Sequence, residues 1–174
     1  MIDVYVAIDP GVHGVGYSVF SYHDGDFYCC GWAEPKPYKG RCSEQWQAVG
    51  DAVADAVSEY NVLAFFHEKM QLRPTETHKV NDILEVNGVA GCVLGRLPRG
   101  IIVEGYTPLR WKGNQSKESN HADIEALLKE RGEYDVYRKY LDKCPRKRRH
   151  DVKDAVAIGM YARRRMRLWK RGAT

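Results

Sequence analysis

Three apolar, β-prone segments crowd the start of the chain, at 4–8, 14–22 and 27–33, and only short turns separate them. The first turn follows Asp9-Pro10-Gly11 and the second is His23-Asp24-Gly25-Asp26, both rich in residues that reverse a chain. Strands joined so closely can pair only with their neighbours, so an antiparallel three-stranded meander is predicted. Beyond residue 33 helices and strands alternate. A loop over 34–41 carries Pro35, Pro37 and Gly40, and Ser43 is placed as the cap of a helix bearing Trp46, Val49, Val53 and Val57 at helical spacing. Residues 61–67 read as a strand leading into Glu68, 75–96 as a second helix, and 101–106 as a fifth strand stopped by Thr107-Pro108. Asn120 is placed as the cap of a helix ending near Arg131, and a last helix starts near Asp151 and runs into a basic tail.

A meander followed by two β-α units specifies an α/β fold: a mixed five-stranded sheet, its last two strands parallel to the first, with helices on both faces. Nothing linker-like divides the 174 residues, so residues 1–174 are expected to form one domain. The second helix is apolar on more than one side and contains Gly88, Gly91 and Gly95. Small residues there let another helix approach closely, either within the chain or across a homodimer formed through 75–96.

Composition removes several classes of function. No apolar run is long enough to span a membrane, and Met1-Ile2-Asp3-Val4 does not open a signal peptide. Five cysteines include no C-x-x-C pair, and the six histidines show no zinc spacing; a reducing cytoplasm is the expected setting. Charge is more informative. Residues 1–107 hold 8 Lys/Arg against 14 Asp/Glu, whereas residues 108–174 hold 19 against 9. Such a swing points to a basic surface for a polyanion. Its main clusters are Arg146-Lys147-Arg148-Arg149 and Arg163-Arg164-Arg165 with Arg167, Lys170 and Arg171.

Four acids stand where chemistry could use them. Asp9 ends the first strand, Glu68 ends the fourth, and Asp151 and Asp154 share one face at the start of the last helix. Singly, each has an ordinary explanation as a turn residue, a strand end or a helix-dipole complement. Together, if the first and fourth strands are neighbours, they form a cluster whose mutual repulsion a divalent cation would relieve. Oxygen-only ligands suit Mg²⁺ or Mn²⁺, and two such ions can drive phosphodiester hydrolysis.

The chain resembles the RuvC family of Holliday-junction resolvases, within the RNase H-like superfamily. Val6-Ala7-Ile8-Asp9-Pro10-Gly11-Val12-His13-Gly14-Val15-Gly16-Tyr17 is similar to the family's opening strand and turn. Phe65-Phe66-His67-Glu68 resembles the strand with its second acid, and His150-Asp151-Val152-Lys153-Asp154-Ala155-Val156-Ala157-Ile158 resembles its closing helix. The resemblance implies an RNase H-like fold and two Mg²⁺ or Mn²⁺ ions held by Asp9, Glu68, Asp151 and Asp154. His150 is an alternative at the third position. It further implies a homodimer that nicks four-way DNA junctions to leave 5′-phosphate and 3′-hydroxyl ends, with Lys112 and Lys117 as catalytic-face lysines. Lys69, Arg73, Arg110, Lys112, Lys117, Arg146, Lys147, Arg148 and Arg149 are the cations expected against DNA. One departure stands out: Lys69-Met70-Gln71-Leu72-Arg73 comes after Glu68 without the aromatic that family members use to stack on junction bases. Phage-encoded members, generally looser about branched substrates, are the nearest expectation.

Two other classes fit parts of the pattern. Asp9-Pro10-Gly11 with Gly16 also satisfies the phosphate turn of actin-like and sugar-kinase ATPases, which leaves the basic half unexplained. A catalytically silent nucleic-acid binder explains the basic half but gains nothing from clustered acids near phosphate.

Overall fold

Side-chain alternation in the first strand sets the architecture. In β1 (Ile2–Gly11), Val4, Val6 and Ile8 enter one apolar core while Tyr5 and Ala7 enter another, so both faces of the strand are covered. The structure is a computed structural model that describes residues 1–35, 42–70 and 80–172. β1 is the centre of a five-stranded sheet with β2 (Gly14–Ser21), β3 (Phe27–Ala33), β4 (Tyr60–Glu68) and β5 (Ile102–Tyr106), in the order β3-β2-β1-β4-β5. β1-β2-β3 is the antiparallel meander, and β4 and β5 run parallel to β1, as the connections required.

One face carries α1 (Cys42–Ala56) and α2 (Val80–Leu94), packed on each other and over Val4, Val6, Ile8, Val15 and Val19. The other face carries α6 (Arg149–Gly172), which lies across β1 to β4. Val152, Ala155, Val156 and Ala162 recur at helical spacing, and all are fully buried against the sheet. Two buried hydroxyls pin this helix: Ser18 Oγ donates to the Ala155 carbonyl at 2.8 Å, and Tyr5 OH to the Gly159 carbonyl at 3.2 Å. Between β5 and α6 come α3 (Pro108–Lys112), α4 (Lys117–Glu130), α5 (Tyr134–Leu141) and a 3₁₀ turn, Arg146–Arg148. Among the described residues no helix is long and apolar enough to cross a membrane.

Several sequence expectations need correction. Ser43 lies inside α1 rather than capping it. The cap of α4 is Ser116, whose hydroxyl accepts from the Ser119 amide at 3.1 Å; Asn120 is buried within the helix. The last helix begins at Arg149, two residues before Asp151. Pro108 does not merely stop a strand; it starts α3, where a missing amide hydrogen is tolerated. Both α3 and α5 are too short to show a clear period in sequence. Residues 75–79, expected to open the second helix, lie outside the described residues. Gly88 meets the Trp46 ring of α1, so it serves packing within the chain, whereas Gly91 faces open space and Gly95 lies beyond the helix end.

Candidate active site

The same alternation that fills the cores aims the acids. Asp9 follows Tyr5 and Ala7 in phase, and Glu68 follows Ala64 and Phe66, so both carboxylates belong to the α6 face of the sheet. β1 and β4 are parallel neighbours with Ile8 opposite His67, which brings Asp9 and Glu68 out side by side at their carboxyl ends. Asp151 and Asp154 approach from α6. The approach depends on Gly16, paired with Asp9 across β1 and β2: a β-carbon there would collide with the Asp151 backbone carbonyl. The last glycine of the opening motif, Gly16, thus leaves the space into which the start of α6 presses.

The four acids share one electrostatic neighbourhood. Burial pushes Asp9 well above the usual carboxylate range, and Glu68, Asp154 and Asp151 push it further. Burial also raises Glu68, with Asp154 adding to it and Lys112, Trp111 and Lys117 opposing. Asp151 is raised by burial against the pull of His150, Arg148 and Lys117. Asp154 behaves differently. Its side chain is 2% exposed, and burial alone would raise it, but hydrogen bonds from His121 and Lys117 hold it below its ordinary value. Lys117 Nζ lies 2.6 Å from Asp154 Oδ2, and His121 Nε2 lies 2.7 Å from Oδ1. Although burial would lower the Lys117 ammonium, Asp154, Asp9 and Glu68 together raise it. Lys117 is therefore the internal counter-charge of the cluster.

These contacts explain a further feature. Among the described residues, no three His, Cys, Asp or Glu side chains are already drawn in around a point that a metal ion could take. Asp154 is engaged by Lys117 and His121, and Glu68 accepts the Trp111 indole N–H at 3.2 Å. The donor set itself suits a hard divalent cation: it is all carboxylate oxygen, and burial, with the neighbouring acids adding to it, has raised the proton affinity of three of its four members.

The expected site residues divide clearly. Asp9, Glu68, Asp151, Asp154 and Lys117 share one electrostatic neighbourhood at the carboxyl end of β1 and β4, and Lys112 bears on it through Glu68. His150 is 55% exposed and reaches outward to Asp151 at 2.9 Å, beside the cluster rather than within it. Lys69 is exposed just past β4, and Arg110 lies over the Tyr106 ring with an ion pair to Glu104. The basic run before α6 separates into two kinds. Arg146 and Lys147 are exposed on the 3₁₀ turn, and Arg148 stacks on Trp32 at 4.8 Å. Arg149, by contrast, donates to the carbonyls of Cys144 and Asp142 and pairs with the Asp142 carboxylate, a largely structural set of bonds. Arg163 is not surface charge either: it is buried against Asp24, Asp26 and Glu133. Arg73 and the side chains of Arg167, Lys170 and Arg171 lie outside the described residues.

Sequence reasoning missed His121 and Trp111. His121 stands four residues after Lys117 and so on the same face of α4, a spacing that could have tied it to the site. Trp111 carries no such signal, since its contact with Glu68 depends on how α3 folds back after β5.

No protein-family model and no curated protein matches the chain. Solved structures do. RuvC from T. thermophilus in complex with Holliday junction substrate superposes with a TM-score of 0.60 at 19% identity, covering 91% of this chain and 90% of that one. A second Thermus thermophilus RuvC structure gives 0.55 at 20% identity over 92% of both chains. The yeast mitochondrial Holliday junction resolvase Ydc2 gives 0.56 at 13% identity over 96% of this chain and 80% of that one. At these identities the likeness is one of architecture: the chain has the RuvC-type, RNase H-like fold.

Proposed function

We propose that the chain is a divalent-metal-dependent endonuclease that nicks four-way DNA junctions and related branched DNA. The observation that carries this is the convergence of Asp9, Glu68, Asp151 and Asp154, with Lys117 and Lys112 acting on them, at one end of two parallel strands. Support for DNA as substrate comes from the fold it shares with a RuvC seen with Holliday junction substrate, and from the excess of basic residues after position 107.

In this reading the four carboxylates hold two Mg²⁺ or Mn²⁺ ions. The ions would supply Lewis acidity toward the phosphodiester and the attacking water, giving 5′-phosphate and 3′-hydroxyl ends. The chain's own residues do the rest. Lys117 neutralises the carboxylates in the resting protein and, at 47% exposed, is free to meet phosphate once a cation relieves it of that task. Lys112 flanks the cluster beside Glu68. Trp111 and His121 orient Glu68 and Asp154 through one hydrogen bond each. Asp151 rather than His150 is the third ligand, because His150 is the outer partner of that pair. Arg146 and Lys147, with Lys69 and Arg110, contact the DNA backbone, and a homodimer through α2 presents two such sites to one junction in the cytoplasm.

The test is nicking of a synthetic four-way junction with and without Mg²⁺ or Mn²⁺, beside duplex, flap and RNA–DNA hybrid. Metal-dependent junction nicking is expected, with Asp9→Asn losing at least about 10³-fold in rate and retaining junction binding. Equal activity in the variant would remove the catalytic assignment, and preference for the hybrid would move the substrate from branched DNA to RNA.

A further inference from the structure

Beside the carboxylates, on the β3 side, lies a cavity of about 250 Å³ bounded by the 9–14 turn, Trp32, Val86 of α2, Arg148 and Asp151. Metal binding and phosphodiester hydrolysis leave it without a role. Its walls are of two kinds. Asp9 and Asp151 close the side facing the reaction centre, while Trp32 and Val86 offer flat and apolar surface. The Trp32 ring is fixed in place: its Nε1–H donates to Glu34 Oε2 at 2.8 Å, and its six-membered ring fills the space over Gly14, where any β-carbon would collide with it. The Arg148 guanidinium carbon sits over that ring, 4.8 Å from its centroid, and one terminal nitrogen is 3.9 Å from Asp151 Oδ2. Its Nε is buried with no hydrogen-bond partner among the described residues. A buried guanidinium N–H without an acceptor is costly to leave unmade.

The chemistry of these walls selects a ligand. A phosphate would meet two carboxylates on one side and an arginine already shared with Asp151. A planar heteroaromatic ring would meet the Trp32–Arg148 surface and an apolar flank at Val86. The volume falls just below that of typical small-molecule pockets, the scale of a single planar ring system. We propose that this cavity is a nucleobase subsite: one base of the strand being cut, unstacked from its neighbour, lies against the Trp32–Arg148 pair, next to the scissile phosphate. The proposal rests on the nuclease reading and adds to it a source of cleavage-site preference. It also supplies an aromatic contact from β3, where the segment after Glu68 has none.

Abasic scanning tests it. In a junction whose nicking position has been mapped, single abasic sites are placed in turn at each nucleotide within three of the scissile phosphate. Binding is read by fluorescence anisotropy in EDTA and nicking under single-turnover conditions with Mg²⁺. One position is expected to lose about tenfold in both, while its neighbours change less than about twofold. Arg148→Lys keeps the charge but not the planar fork, so it should abolish that positional penalty while leaving the salt dependence of binding unchanged. A flat abasic profile in the wild type, or an undiminished penalty in Arg148→Lys, overturns the subsite while leaving the nuclease intact. Absence of binding and nicking on every branched DNA overturns the nuclease reading, and the subsite with it.

Discussion

Asp9 is held where its charge is least stable, half-buried among Glu68, Asp154 and Asp151. Its pKa in the folded chain is raised above the ordinary 3.8, so the fold binds its proton more tightly than the unfolded chain does. That contribution is fully present below the unfolded value and is lost as pH rises through the raised one, which leaves Asp9 destabilising at neutral pH. Asp154 has the opposite sign: held below 3.8, it stabilises above that pH and the benefit disappears as acid protonates it. Asp9→Asn should therefore raise the melting temperature in EDTA at pH 7 by a few degrees, since ~1 kcal/mol moves the midpoint by about 2–4 °C in a domain of this size. The gain should shrink toward pH 4. Adding Mn²⁺ should stabilise the wild type and not the variant. A variant that melts lower than wild type in EDTA at pH 7 would show that Asp9 is not under this strain. At this scale sequence showed the four acids and both lysines, because each sits in a short motif with its own local logic. It did not show Trp111 or His121, because a hydrogen bond between residues 43 or 33 positions apart has no local signature.

At the scale of elements, the start of α6 is placed by backbone contact. Gly16 in β2 touches the Asp151 carbonyl, while Ser18 and Tyr5 hold the next turns through their hydroxyls. Gly16→Ala must push the helix away from the sheet at the point where Asp151 and Asp154 leave it. Overpacking of this kind costs about 1–3 kcal/mol, measurable as a lower urea midpoint. Nicking should fall by more than tenfold at temperatures where the variant remains folded. Retained activity with unchanged stability would mean the helix does not bear on the site through this glycine. The strands were legible because apolar runs between turn residues have few other solutions, and β3 spans the same residues in sequence and structure. Helix ends were less so: Ser116 and Asn120 are both good caps, and only the fold decides which one lies at the surface and which inside α4.

For the whole molecule, charge and surface decide how DNA and a second copy would meet the site. Arg149 and Arg163 are spent on internal bonds, so the cations available before α6 are chiefly Arg146 and Lys147. Replacing those two by Ala should lower the slope of log K against log salt by up to about 2, roughly 0.9 for each phosphate left without its cation. An unchanged slope would place the DNA elsewhere. Leu84 is 62% exposed and Val80 38% exposed on α2, with Gly91 open on the same helix. If two copies pair there, Leu84→Glu should turn a dimer into a monomer by sedimentation while Asp9→Asn does not, and a wild-type monomer at micromolar concentration would end that part of the reading. By itself the sequence determined which segments become strands, that the first three form a meander, and which acids stand at strand and helix ends, since these arise from periodicity and turn chemistry within a few residues. Only the tertiary structure decided that the acids share one electrostatic neighbourhood, that Lys117 and His121 engage Asp154, and that Trp32 and Arg148 border a cavity beside them. Those facts depend on the packing of α6 against β1 and β4 and of α4 against α6, relations between segments far apart along the chain that no local pattern encodes.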